Sequence, residues 1–404
     1  MTNKWSETTL GKFCPFLYGK GLPERARNGS GVVPVYGSNG VVGNHDVPYV
    51  TKPGIIIGRK GTVGAVHFSP VPFWPIDTTF YVTDGNARDL RFSYYLLKSL
   101  PLERMNADSA VPGLNRDAAH AIQVRVPDLR GQRRIAHILG TLDDKIELNR
   151  RMNRTLEKMA AAIFKSWFID FDPVRAKAAG RDPGLPKEIA DLFPDSFEDS
   201  ALGPIPKGWT VKPLDEIADY LNGLACQKYP PNEGEKSLPV IKIRELRQGI
   251  TNNTDRASVD IPLKYIVEDG DVLFSWSGSL LVSIWCGGRG VLNQHLFKVT
   301  STSFPKWYFY HATKHHIDEF QQIASDKATT MGHIKRHHLS AAKMAIPGEE
   351  LMAKGTEVLG TILDRRINAL KEVQILAAIR DTLLPKLLSG EIEAPDIAPI
   401  EDAV

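Results

Sequence analysis

Residues 135–168 read IAHILGTLDDKIELNRRMNRTLEKMAAAIFKSWF. Within them Ile135, Leu139, Leu142, Ile146, Asn149, Asn153, Leu156, Ala160, Ile163 and Trp167 alternate at spacings of four and three, the signature of a coiled-coil seam. A long helix with one specified partner helix is predicted, because Asn in a seam lowers stability while fixing register or orientation. At about 1.5 Å per residue, a helix from 135 to 167 is about 50 Å long. The partner is found in the same chain: roughly Glu349 to Leu388 carries Leu359, Leu363, Ile367 and Leu370, then Ala377 and Leu384.

Working outward from the two helices, the chain reads as written twice. Lys4-Trp5-Ser6 before Leu10 matches Gly208-Trp209-Thr210 before Leu214. Further matches follow in the same order. Pro53-Gly54-Ile55-Ile56-Ile57 answers Asp269-Gly270-Asp271-Val272-Leu273, and Phe80-Tyr81-Val82-Thr83 answers Phe297-Lys298-Val299-Thr300. Leu139-Gly140-Thr141 then answers Leu359-Gly360-Thr361. An ordered series of this kind marks an internal duplication. Each half opens with short β-branched and aromatic runs punctuated by Gly and Pro, which predict strands and turns. Each then passes through a shorter helical stretch, FSYYLLKSL or KWYFYHATKHHIDEFQQI, into its long helix.

The expected fold class is therefore α+β: two β-rich domains with small helices, separated by two long antiparallel coiled-coil helices. Boundaries follow at 1–130 for the first domain, 131–171 for the first helix and 172–206 for a linker. The second domain covers 207–348, the second helix 349–390, and an acidic tail 391–404. Six prolines between Pro173 and Pro206 make the linker mostly extended, with a short helical turn at Lys187 to Leu192.

Charge divides along the same boundaries. The chain of 404 residues has a formal net charge of only +3. Residues 1–130 hold 15 basic against 10 acidic side chains and residues 201–348 hold 17 against 14, whereas 131–200 balance at 12 each and 349–404 hold 6 against 11. Basic globular segments and non-basic helices fit domains that face phosphates and helices that face protein. Two such domains held about 50 Å apart would span about one and a half turns of B-DNA, whose turn is about 34–36 Å.

Other chemistries find little support. Three scattered cysteines, Cys14, Cys226 and Cys286, make neither a disulfide framework nor a zinc cluster and suit a reducing cytoplasm. No apolar run is long enough for a secretory signal or a membrane span. The Gly clusters at 37–43 and 58–64 match neither GxGxxG at a strand–helix boundary nor the GxxxxGK[ST] loop. The (D/N)PP(Y/F) tetrapeptide of an amino-methyltransferase is missing, Phe171-Asp172-Pro173-Val174 being its nearest approach. Pro194-Asp195 with Glu198 lacks the spacing and the lysine of a nuclease site. Seven of 11 histidines lie in 295–338, with His311/His315 and His333/His337 at helical spacing. No HExxH motif or cysteine accompanies them, so no metal is expected.

The stretch FKSWFIDFDPV (164–174), the preceding LGTLDDKIELNRRMNRTLEKM, the segment IPKGW (205–209) and LLPKLLSGEIE (383–393) resemble type I restriction-modification specificity subunits. The resemblance covers nearly the whole chain. It implies two target-recognition domains, each binding half of a bipartite DNA sequence with an unread gap, in a non-catalytic subunit of a host-defence complex. It also implies two modification (methyltransferase) subunits that methylate adenine with S-adenosylmethionine, and ATP- and Mg-dependent restriction subunits that translocate and cleave. This chain would bind no cofactor itself. The competing readings are a coiled-coil scaffold and a self-contained DNA-modifying enzyme.

Base readout needs bidentate side chains at base edges, while Lys, Arg, Ser, Thr and backbone amides position phosphates. In the first domain the candidates are Arg59, Lys60 and Thr62 in GRKGTVG, then Ser38, Asn39, Asn115 and Arg116. In the second they are Trp276, Ser277 and Ser279 on the corresponding turn, with Gln294, His295, Lys335, Arg336 and His337. Candidate interhelix or subunit contacts are the seam residues Ile135, Leu139, Leu142, Ile146, Asn149, Asn153, Leu156 and Ile163, together with Trp167, Phe168, Leu363, Ile367 and Leu370. Trp167, Phe168 and Phe171 close the helix with an apolar cluster that either packs internally or docks a partner.

Overall fold

The structure, a computed structural model, describes residues 5–85, 88–105, 113–326 and 332–395. The tail expected at 391–404 lies outside the described residues from 396 onward. The chain is mixed α+β and divides into two compact units. One runs to Lys145 and resumes at Leu376; the other is Ile146–Ile375. The domain boundaries read from sequence gave the helices segments of their own, whereas the compact units divide both long helices between them.

In the first unit a four-stranded antiparallel sheet has the order Leu17–Tyr18, Thr79–Thr83, Gly54–Gly58, Val66–Ser69. Its strand GIIIG is buried throughout. Ile55 and Ile57 join the core with Phe80, Val82, Phe92 and Leu97, while Ile56 packs on the other face with Tyr36, Val50 and Phe73. Burial on both faces explains a continuous apolar run where a half-exposed strand would alternate. A second sheet orders Gly40–His45, Val33–Gly37 and Trp74–Pro75, the last pair parallel. Trp5–Thr9 pairs with Gln123–Pro127.

The second unit repeats this order. Asp219–Asn222, Leu296–Thr300, Val272–Ser275 and Leu281–Ile284 form its antiparallel sheet. Val272 and Phe274 enter the main core and Leu273 the opposite one. A second sheet again contains a parallel pair, Ser237–Ile241 with Gly290–Leu292, and Thr210–Pro213 pairs with Lys343–Ile346.

The first long helix spans Leu129–Phe168. All ten seam positions read from its spacing are buried or half-buried, including Asn149 at 1% and Asn153 at 7% exposure. Asn153 Nδ2 donates to the Asn149 carbonyl at 3.0 Å, while Asn149 Nδ2 and Asn153 Oδ1 have no hydrogen-bond partner among the described residues. The second helix carries one irregularity: Glu349–Gly355 leads through a π turn at Thr356–Gly360 into Thr361–Ser389. The wide turn sits beside the fully buried Trp307, whose indole donates to Thr356 Oγ1 at 2.9 Å. That ring lies so close to Gly355 that a Cβ there would approach it to 2.7 Å. Leu363 is buried and Ile367 and Leu370 are half-buried, and the same face also buries a charge, Arg366 at 9% exposure.

In both units a carboxylate of the first helix takes an arginine from the second helix and a tyrosine from the unit's own short helix. In the first, Asp143 accepts from Arg380 and from Tyr95, both at 2.7 Å. In the second, Glu157 pairs with Arg366 and Lys314 and accepts from Tyr310 Oη at 3.0 Å. Burial alone would raise the Glu157 carboxyl, but Arg366, Lys314 and the Tyr310 hydroxyl outweigh it and hold it below the ordinary carboxyl range.

The expected mostly extended linker carries more structure than its prolines suggested. Asp172–Ala178 is helical with Pro173 in its first turn, where a missing N–H costs nothing. Lys187–Ala190 forms the expected short turn, and Phe197–Ser200 pairs with Gly203–Pro206. The stretch 306–323, read as one helix, breaks at His316 between Lys306–His315 and Ile317–Asp326. Among the described residues no helix is long and apolar enough to cross a membrane.

Candidate nucleic-acid interface

The first unit gathers its candidates around one carbonyl. Ser38 and Asn39 are the two turn residues of the hairpin that closes at Gly37 and Gly40. Ser38 is buried and its hydroxyl donates to Thr78 O at 2.7 Å, which leaves Asn39 as the exposed tip. The backbone amides of Arg59 and Lys60 donate to the same Thr78 oxygen at 2.9 and 3.1 Å. Gly61 turns the chain with φ +78°, a conformation that favours glycine, and Lys60 and Thr62 stand exposed on either side of it.

The loop also holds its distant partner. Leu114 N donates to Arg59 O at 2.9 Å, bringing Asn115 and Arg116 alongside. Asn115 caps the helix Arg116–His120 by accepting from Asp117 N and Ala118 N, so its oxygen is engaged in capping. Arg116 and Arg59 both lie over the ring of Tyr18, at 5.0 and 5.1 Å from its centroid. Tyr18 is 48% exposed, so the result is an aromatic surface edged by two guanidinium groups. His120 accepts from Phe16 N at 2.9 Å, and burial together with Arg116 holds its pKa down.

The second unit assembles a comparable site from different side chains. Trp276 N and O bond to His295 O and Ile334 N. The Trp276 ring lies 5.8 Å from Phe297, and its Nε1 donates to Asn222 Oδ1 at 3.0 Å. Arg336 lies over Phe297 at 5.7 Å and donates to Tyr220 O at 3.2 Å. Trp276, Asn222, Phe297, Lys335 and Arg336 line a cavity of about 310 Å³. Ser277 is buried against His295 Nδ1 at 3.0 Å, and Gln294 Nε2 lies 3.4 Å from His295 Nε2. Ser277 and His295 thus brace the turn, while Ser279 is exposed. His337 is exposed with its ring 4.1 Å from that of His338.

Position for position, the two sites correspond. Tyr18 pairs in register with Phe80, and Asn222 with Phe297. Arg59 and Trp276 each follow the third strand in the order of the sheet, and Arg116 and Arg336 each open a short helix. Tyr18, Asn222, Phe80 and Phe297 were absent from the candidates read from sequence. The offset of 204 between Trp5 and Trp209 also separates Tyr18 from Asn222, yet their unlike chemistry hides the match.

Other candidates resolve into packing. Trp167, Phe168 and Phe171 are all buried within the second unit: Trp167 lies 5.5 Å from Phe193 and Phe168 lies 5.5 Å from Trp307. His311 is 4% exposed and stacks on Phe164 at 5.1 Å, and burial pushes its pKa down to about 4.

Comparison with known proteins agrees with this architecture. The family model "Type I restriction modification DNA specificity domain" matches residues 2–158 and 206–380. The MjaIX specificity subunit of a type I restriction enzyme from Methanocaldococcus jannaschii is 25% identical over 359 residues, covering 84% of this chain and 79% of that protein. The HindI specificity subunit from Haemophilus influenzae is 25% identical over 371 residues, covering 78% and 81%. In fold, the chain is similar to the type I restriction-modification S subunit from M. genitalium, with a TM-score of 0.62, 17% identity, and 98% and 100% of the two chains covered. With the family model matching both halves of its length, this chain belongs to the type I restriction-modification DNA specificity family.

Proposed function

We propose that this chain is the sequence-specific DNA-binding subunit of a type I restriction-modification enzyme, that each unit reads one half of a bipartite target, and that the long helices set an unread gap. The observation that carries the reading is the recurrence, in two sheets of the same strand order, of an aromatic surface edged by cations at corresponding positions. Stacking surfaces and guanidinium groups suit bases and phosphates. An antiparallel helix pair and an internal duplication are part of the proposal. From Asp143 to Glu157 the first helix advances 14 residues, while their partners fall back 14, from Arg380 to Arg366.

The chain selects the site and leaves bond chemistry to its partners. Two modification subunits with S-adenosylmethionine would methylate, and restriction subunits with ATP and Mg would translocate and cleave. Leu148, Met159, Ile375 and Ile379, all at least 42% exposed on the long helices, suit partner docking. Buried, unpaired Cys14, Cys226 and Cys286 suit a reducing cytoplasm.

Selection from a random duplex library by the chain assembled with its modification subunits tests the reading. A gapped, two-part motif is expected; a contiguous motif or no enrichment overturns it. Replacing Lys335 and Arg336 together by Glu should weaken binding to all sequences alike, and flatten the dependence of log affinity on log salt by about one for each phosphate no longer neutralised. An unchanged salt slope would remove both residues from the DNA-facing surface.

A further inference from the structure

The amide of Asn222 has a fixed orientation. Its Oδ1 accepts from Trp276 Nε1 at 3.0 Å, and an indole nitrogen can only donate, so the reversed amide would set donor against donor. The Nδ2 group therefore occupies the other side of an exposed side chain at the end of its strand, at the edge of the cavity shared with Phe297, Lys335 and Arg336. An unconstrained Asn presents both donor and acceptor, the combination that reads adenine by its N6/N7 edge. With Oδ1 turned to the indole, Asn222 directs its Nδ2 donors, rather than its acceptor, away from Trp276. Trp276, Phe297 and Ile334 supply the apolar side of the cavity, Lys335 and Arg336 add cations suited to phosphate, and His333 lines it with its ring 6.3 Å from Trp276, so the amide is the neutral group there whose donor is held in one orientation by a neighbour.

We infer that Asn222 is a specificity-determining residue of the second unit and selects a keto base, guanine through O6 or thymine through O4. The amino bases adenine and cytosine bring an NH₂ donor to the major-groove position where the keto bases bring an acceptor, and two donors repel. The first unit has Tyr18 at the corresponding strand position and Arg59 in place of Trp276, so it lacks this device and reads its half-site by other contacts.

The inference rests on the proposed DNA-reading role, and the experiment separates the two. The complex of this chain with its modification subunits is selected against a random duplex library as wild type, as Asn222→Asp and as Asn222→Ala. Asp keeps the acceptor for the indole and exchanges the outward donor for an acceptor. One position of one half-site should move from keto to amino bases by about tenfold or more in relative enrichment. Ala should flatten the preference there, and the other half-site and the gap should stay as in wild type. The wild-type motif keeping its keto preference in both variants overturns the inference while leaving the proposed function standing. Absence of any gapped motif with wild type overturns the function itself. Unfolding midpoints matching wild type confirm that the variants fold, as expected for an exposed side chain.

Discussion

Replacing Glu157 by Ala should destabilise the second unit by about 3–5 kcal/mol, the usual effect of removing one partner from a buried ion pair. The carboxylate is 20% exposed and faces Arg366, at 10% exposure, with Lys314 and Tyr310 completing its shell. Without it the Arg366 guanidinium keeps its desolvation and loses its counter-charge, while Lys314, at 37% exposure, can turn to water. Exchanging Glu157 and Arg366 together for Leu should therefore recover most of the loss, because no unpaired charge remains. Denaturant unfolding of the three proteins measures this, and a single variant within about 1 kcal/mol of wild type would show that the pair carries little.

The same carboxylate has a pH signature. Its pKa lies below the ordinary value of 4.5 in the folded chain, so its contribution is complete above that value and disappears as pH falls through the lower folded value. His311 acts at a higher pH. Its folded pKa is pushed down to about 4 from 6.5, so its contribution is present above pH 6.5 and declines between 6.5 and about 4. His311→Phe should remove the earlier loss and Glu157→Ala the later one, as read in unfolding midpoints taken from above pH 6.5 to well below 4.5.

These charges also show where sequence reading ends. The seam of the first helix was legible because apolar side chains and two Asn occupy every position of a regular spacing. On the second helix Arg366 breaks the apolar pattern, and a spacing argument steps past it to Ile367. Its burial depends on a carboxylate some 200 residues away, which no local pattern encodes. The strands were legible for a comparable reason, Phe80 and Phe297 keeping their identity at matching places in the two halves, whereas their order within each sheet was not. At the candidate sites the structure sets some of the residues named from sequence beside others that were not named. Arg116 and Arg336 match, but Tyr18 and Asn222, and Arg59 and Trp276, correspond only in position, so unlike side chains conceal the correspondence. Pro-rich residues 172–206 were read as extended because proline count does not reveal that Pro173 stands in a first helical turn.

Replacing Phe168 by Ala should cost the second unit about 3–5 kcal/mol, the range for emptying a large aromatic site in a packed core. Phe168 is 1% exposed, with its ring 5.3 to 6.1 Å from those of Phe164, Trp167, Tyr308, Trp307 and Trp209. Those neighbours come from the long helix, the helix Lys306–His315 and the start of the second sheet-bearing segment, so one cavity loosens three elements at once. Three residues on, Phe171 takes the left-handed conformation at φ +56°, with its ring 5.6 Å from Trp209. A strained non-glycine residue persists only where its surroundings over-determine it, so the loss at Phe168 should reach the turn after the helix as well. Phe168→Leu should cost well under half as much, since most of the volume is kept. Equal losses for Leu and Ala would mean that ring stacking rather than filled volume holds the site. Above its lowered unfolding midpoint Phe168→Ala should lose DNA binding to every sequence together; below it the selected motif should match wild type. Asn222→Asp should do the opposite, changing one base of the motif at an unchanged midpoint, so that the two variants separate what holds the second unit together from what it reads.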